Sequence, residues 1–259
     1  MGKKDRRKRQ HQLDAAVAAV HRRFGPAALI RGTPVRAVDG VGTVPHIPTG
    51  FPALDRALGI GGLPKGKLCE VVGPATSGKT TLALKFLAQA QVGGRQVGYI
   101  DQALYFDPDY AYRCEVDLSR LWVGTVHDLQ EALATAEALA RSGGLSALVF
   151  DALDFLWTDP GATASLAATL NRLPPFLARS DMALLVLHES FQGRSPALSA
   201  LAHHAAIRLG VVREEWIEEQ GDIRGYEARV EVLKNRLGPA AREVCLSIKF
   251  NGTVQGNGL

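Results

Sequence analysis

Cysteine is scarce in this sequence, and the three it has, Cys69, Cys114 and Cys245, lie too far apart to form a Cys-x-x-Cys pair. That spacing argues against a zinc site, a disulfide framework or secretion, and points to a reducing cytoplasm. Long apolar runs are missing as well: none approaches the roughly 20 residues a membrane-spanning helix needs. The short stretch Ala15 to Val20 runs at once into His21-Arg22-Arg23, which does not fit a signal peptide. Tryptophan is sparse, and the scattered Trp122, Trp157 and Trp216 offer no base-stacking platform. His203 and His204 have no third ligand at metal spacing, and no Ser-His-Asp constellation presents itself. There is no internal repeat.

Charge of one sign is confined to one end. Of 30 basic residues, six (Lys3, Lys4, Arg6, Arg7, Lys8 and Arg9) fall in the first ten positions, against a single acid, Asp5. The rest of the chain holds 24 basic and 25 acidic residues, so the formal charge of +4 belongs to a tail and not to a uniformly basic surface. Such a run reads equally as a solubilising, flexible tail or as a phosphate-binding arm.

What is present is an alternation of short apolar runs with helical segments. Leu13, Val17, Val20 and Phe24 recur at spacings of four, three and four, the stripe of a short helix ending before Gly25-Pro26. Residues 31 to 50, rich in Gly, Pro and Thr, read as a connector. Beyond it, Lys67 to Val72, Gln96 to Asp101, Ala147 to Phe150 and Ala183 to Leu187 read as strands. Helical patterns at Thr80 to Gln91, Leu129 to Arg141 and Ala162 to Arg179 separate them. This is the rhythm of a parallel sheet with crossover helices. Ala206 to Arg213, Tyr226 to Leu233 and Val244 to Phe250 then alternate without long helices, an antiparallel extension of the same sheet. With 46% hydrophobic residues in 259, the chain has enough apolar surface for one substantial core.

The strongest motif is Gly73-Pro74-Ala75-Thr76-Ser77-Gly78-Lys79-Thr80, followed by Thr81, set between a strand and a helical pattern. Its glycines let backbone N–H groups curl around a β-phosphate at a helix N-terminus. Lys79 reaches the β- and γ-oxygens, and the Thr80 hydroxyl ligates Mg²⁺. The strand Ala147 to Phe150 ends in Asp151, where this architecture places the carboxylate that holds the metal through its water shell. The expected cofactors are therefore ATP or GTP with Mg²⁺.

These residues resemble the RecA family over nearly the whole chain. His46-Ile47-Pro48-Thr49-Gly50, Leu54 to Gly59 and Gly61 to Gly66 are similar to the family's approach to its P-loop. Asp107-Pro108 with Tyr110 and Ala111 resembles the segment whose Asp and Tyr sandwich adenine, which favours ATP. Lys234-Asn235-Arg236 resembles a Lys-x-Lys motif that reaches the neighbouring subunit's ATP in the family's filaments. Alternation along a strand puts Lys234 and Arg236 on one face. The helix at Leu13 to Phe24, with Leu29-Ile30-Arg31 behind it, is similar to the family's polymerisation arm. The implied architecture is an α/β, RecA-like P-loop core: a mainly parallel central sheet with flanking helices, an antiparallel C-terminal extension and a short N-terminal helical arm. Residues 1–45 form the basic tail, assembly arm and connector, and residues 46–259 the core.

The departures from the family pattern carry as much information. A Glu that orients the attacking water follows the strand Gln96 to Asp101 in the family, and Ala103 stands there in this chain. Gln102 at best orients a water. Losing a positioned base costs about 10²- to 10⁴-fold in rate. Glu189 stands where the family has a γ-phosphate-sensing Gln; it is the candidate for a relocated base, or a fixed charge that repels ATP. The two DNA-binding loops look shortened: Asp154 to Ala162 is brief, and Phe191 to Ser199 has Arg194 as its one cation. The resemblance stops at Leu259, without the family's small C-terminal domain. It thus implies an ATP-binding regulatory or assembly factor of the DNA-damage response, with slow or absent hydrolysis, of the ImuA type found in bacterial mutasomes. Its expected partners are a second copy or a RecA filament through Leu13 to Phe24, a polymerase-like mutasome protein, and DNA, held weakly by the basic tail. The nucleoid is an expected location, and no membrane contact is expected. The alternatives are a minimal active DNA-dependent ATPase and recombinase, and a RecA-like cell-division or signalling regulator without a DNA role.

Overall fold

The structure is a computed structural model, and it describes residues 3–25, 44–102, 104–126, 129–152, 160–189 and 196–250. Two compact units emerge, Met1–Thr43 and Val44–Leu259. The first contains helix α1 (Lys3–Phe24). The basic run expected to be a flexible tail is helical from Lys3. The cause is local: Lys, Arg and Gln are good helix formers, and no Gly or Pro interrupts the segment. Gly25 ends it at φ 87°, with its N–H donating to the His21 carbonyl at 2.9 Å. Leu13 and Phe24 are exposed, while Val17 and Val20 are half-buried.

The second unit opens with β1 (His46–Ile47), α2 (Pro52–Leu58) and β2 (Leu63–Pro64), β1 and β2 pairing as a small antiparallel ladder. Then follow β3 (Leu68–Val72), α3 (Lys79–Ala90), β4 (Gln96–Asp101), α4 (Pro108–Arg113), β5 (Leu121–Thr125), α5 (Leu129–Ser142) and β6 (Leu145–Asp151). The chain continues with α6 (Pro160–Ser180), β7 (Ala183–His188), α7 (Pro196–His204), β8 (Ile207–Glu219), β9 (Asp222–Asn235) and β10 (Glu243–Lys249). One eight-stranded sheet results, in the order β10-β9-β8-β3-β7-β6-β4-β5. β8, β3, β7, β6, β4 and β5 are parallel, and β9 and β10 add on antiparallel. This is the expected α/β class.

The central strands read as unbroken apolar runs because both faces are covered. On β7, Ala183, Leu185 and Leu187 enter the core with Leu82, Phe86 and Leu87 of α3. Leu184 and Val186 face the other way, onto Leu133 of α5, Leu170 and Leu173 of α6 and Leu201 of α7. The edge strand β5 escapes sequence reading: Trp122 and Val123 are exposed, so it lacks the continuous apolar run that marks its neighbours. Part of the segment expected as the shortened second loop is the start of α7 at Pro196.

Candidate functional site

The turn from β3 to α3 carries the phosphate motif. Gly73 has to be glycine, since a Cβ there would meet the Val211 carbonyl oxygen at 2.1 Å. Gly78 caps α3 at φ 105°, and a Cβ on it would crowd the Tyr226 hydroxyl at 3.0 Å. The Lys79 ammonium folds back to donate to the carbonyls of Gly73 and Pro74, both at 2.8 Å, and Glu189 Oε1 lies 3.9 Å from it. Thr80 Oγ1 donates to Asp151 Oδ2 at 3.3 Å. The expected metal-ligand pair, 71 residues apart in sequence, is thus brought together. Tyr99 of β4 donates its hydroxyl to the same carboxylate oxygen. Burial pushes the Asp151 carboxyl above the usual range, against the hydrogen bonds from Tyr99 and Thr80 that favour its charged form.

Asp101, the register partner of Asp151, spends its carboxylate on the following turn, accepting from the amides of Tyr105 at 3.2 Å and Phe106 at 2.9 Å. Asp107 caps α4, accepting from Asp109 N at 2.8 Å and Tyr110 N at 3.1 Å. That cap orients α4 so that the Tyr110 hydroxyl meets Thr81 Oγ1 at 2.5 Å. A cleft of about 300 Å³ is lined by Thr76 to Thr81 and Tyr110, together with Arg213, Trp216, Tyr226 and Phe250.

Those last four residues are the ones sequence reading missed. Trp216 pairs across the β8–β9 ladder with Tyr226, their rings edge to face at 6.1 Å. Phe250 lies 5.7 Å beyond, and the Arg213 guanidinium sits 4.2 Å over the Trp216 ring. No local motif marks them, because strand register and not sequence spacing gathers them. Also unforeseen is a buried ionic cluster beneath the turn. Glu70 of β3, fully buried, sits 2.6 Å from His188 Nε2, and Arg208 grips it at 2.6 and 3.1 Å.

Lys234 and Arg236 lie away from their own phosphate turn, Lys234 level with the middle of β3 and Arg236 toward its first residue. Lys234 is in register with Arg208, which pairs with Glu70, three residues before Gly73. Lys234 donates to the carbonyls of Ala202 at 2.5 Å and His203 at 3.0 Å, and Arg236 to that of His203. Both therefore close the C-terminal end of α7 in this chain. A second cavity of about 250 Å³ opens at that end, between Leu68, Leu170, Leu177 and Arg236, and shares no residue with the phosphate turn. Ala103, Arg194, Trp157 and Leu29-Ile30-Arg31 fall outside the described residues.

The residues present suit a magnesium nucleotide. Ser77 Oγ in the turn and Gln102 Oε1 beside Asp151 are buried side-chain atoms without a hydrogen-bond partner, which is costly unless a ligand or water supplies one. No described helix is long and apolar enough to cross a membrane.

Comparison with known proteins adds a lineage to this geometry. Residues 11–163 match the model of the RecA N-terminal domain. The chain is 36% identical to Protein RecA of Bartonella tribocorum over 92% of its own length and 74% of the relative's. It is 30% identical to Protein RecA of Ruminococcus albus, over 95% of its length and 66% of that relative's. The crystal structure of the RadB recombinase superposes with a TM-score of 0.63 at 21% identity, covering 80% of this chain and 97% of that one, a likeness of fold.

Proposed function

The chain belongs to the RecA family, and from that premise we propose that it binds ATP with Mg²⁺, hydrolyses it slowly, and acts as an assembly or regulatory factor in the DNA-damage response. The observation that carries the binding half is the meeting of Thr80 with Asp151 at the mouth of the Gly73 to Thr81 turn. It supplies a hydroxyl and a carboxylate for the metal beside a lysine for the phosphates. Ala75, Thr76, Ser77 and Gly78 would hold phosphate oxygens through backbone N–H groups, on a turn that opens with Pro74, which has none, and with Gly73, whose N–H goes to the His188 carbonyl; Tyr110 and Asp107 would frame the base. Bound there, the magnesium nucleotide supplies a transferable γ-phosphoryl group and the charge that Lys79 answers.

The slow-turnover half rests on Ala103, where a methyl group stands in the place of the family's water-orienting Glu. Glu189 supports the same reading, since its carboxylate is engaged with Lys79. An ATP-stabilised scaffold of the ImuA kind follows. The α1 stripe of Leu13, Val17, Val20 and Phe24 would dock on a second copy or on a RecA filament, Lys234 and Arg236 would face a neighbour's nucleotide, and a polymerase-like protein would complete the assembly.

Steady-state and single-turnover ATP hydrolysis, with and without single-stranded DNA, tests this. The expected result is slow, DNA-insensitive turnover that Ala103→Glu raises. A second reading, a minimal DNA-dependent ATPase and recombinase with Glu189 as base, draws support from relatives that bear the name RecA at 30 to 36% identity. Strong DNA-stimulated turnover that Glu189→Gln abolishes would establish it and sink the regulatory one.

A further inference from the structure

Glu189 is mounted at a point the fold holds firmly. It directly follows β7, whose last residue, His188, is in register with Val72, the last residue of β3 before the phosphate turn. His188 Nε2 is tied to Glu70 at 2.6 Å, and Glu70 is held in turn by Arg208. From this anchor the Glu189 carboxylate reaches to 3.9 Å from the Lys79 ammonium. Lys79 already donates to two carbonyls of the turn, and its side chain is 8% exposed against 51% for Glu189. The lysine charge is therefore ringed by oxygen on the protein's own account.

A terminal phosphate that bonds Lys79 at about 3 Å must lie within roughly 7 Å of Glu189 Oε1, given the 3.9 Å between the two side chains. A diphosphate is held chiefly by the backbone N–H groups of the turn and the start of α3, which Glu189 does not oppose. A triphosphate adds one net charge and puts its doubly charged terminal phosphate on the Lys79 side, where the carboxylate competes for the ammonium and repels the newcomer. At that separation, and with one partner half in solvent, like charges alter affinity by about tenfold.

We propose that Glu189 makes this site discriminate against nucleoside triphosphates in favour of diphosphates, by holding the place beside Lys79 that a terminal phosphate would take. The inference rests on the nucleotide-binding reading above and adds a ligand preference to it. A triphosphate enters when the half-exposed Glu189 side chain swings outward while its backbone stays anchored at His188.

Displacement of a fluorescent ADP analogue from the full-length chain, by ADP and by the non-hydrolysable β,γ-imido analogue of ATP, both with Mg²⁺, tests it. The wild type should favour ADP, and raising the salt should shrink that preference, because Glu189 is half exposed. Glu189→Gln should tighten the triphosphate analogue about tenfold and leave ADP within about twofold, while Glu189→Asp keeps the wild-type preference. Equal shifts for both ligands, or none, overturn the inference and leave nucleotide binding standing. If neither nucleotide displaces the probe from the wild type, or the probe itself does not bind, the binding reading falls and the preference falls with it.

Discussion

Tyr99 and Asp151 stand on neighbouring parallel strands, and the tyrosine hydroxyl donates to the Oδ2 that Thr80 also approaches. A hydrogen bond of this kind orients a carboxylate before any metal arrives, and loss of such a partner commonly costs 10- to 100-fold in metal affinity. Tyr99→Phe should therefore raise the Mg²⁺ concentration needed for nucleotide retention by about tenfold or more, with nucleotide binding in EDTA unchanged. The ring should stay in place against Phe106, 5.1 Å away. Equilibrium binding across a Mg²⁺ titration measures this directly.

The Glu70 cluster leads to a stability prediction. Glu70 is fully buried, and removing one member of a buried ionic set leaves the others uncompensated. Arg208 is 27% exposed and retains some water, so Glu70→Gln should lower unfolding free energy by about 2 to 3 kcal/mol, read as an earlier urea midpoint.

The same cluster sets a direction with pH. Burial alone would raise the Glu70 carboxyl, yet hydrogen bonds from His188 and Arg208 and the arginine charge hold it below the usual 4.5. A depressed folded value means that the contribution is complete above the ordinary carboxylate range and is lost as pH falls through the folded value. The stability gap between wild type and Glu70→Gln should therefore close on acidification. A gap that widened would contradict the charged assignment.

The aromatic wall of the cleft offers a direct reporter. Trp216 lies between the Arg213 guanidinium and the Tyr226 ring, in the cleft with the phosphate turn. In a Trp122→Phe, Trp157→Phe background, nucleotide should alter the remaining Trp216 fluorescence. Trp216→Ala should weaken binding by about 1 to 3 kcal/mol if a base rests there. An unmoved spectrum together with unchanged affinity would place the base elsewhere.

The six cations of Lys3 to Arg9 lie on α1. If they carry DNA binding, deleting residues 3–9 should remove most affinity for single-stranded DNA and flatten its dependence on log salt by up to about four units, at ~0.7 per phosphate contact. A truncated chain with undiminished DNA binding would direct attention to the segments around Arg194.

The phosphate turn, Asp151 and the strand-helix rhythm are legible from sequence because each is a local pattern with a local cause. A glycine-rich turn needs glycine where backbone and ligand approach, and a strand covered on both faces needs an unbroken apolar run. The edge strand β5 had no such mark. Gly73 could be named in advance, but not that the Val211 carbonyl is what crowds it.

Sequence alone determined that the chain builds a mainly parallel sheet carrying a phosphate turn. Only the tertiary structure decided that Lys79 meets Glu189, that Tyr99 and Thr80 share one oxygen of Asp151, and that Trp216, Tyr226 and Phe250 wall the cleft. The reason is strand order: β3 runs between β7 and β8, which follow it by more than 100 residues. Pairing across such distances depends on register and burial, which no local window of sequence contains.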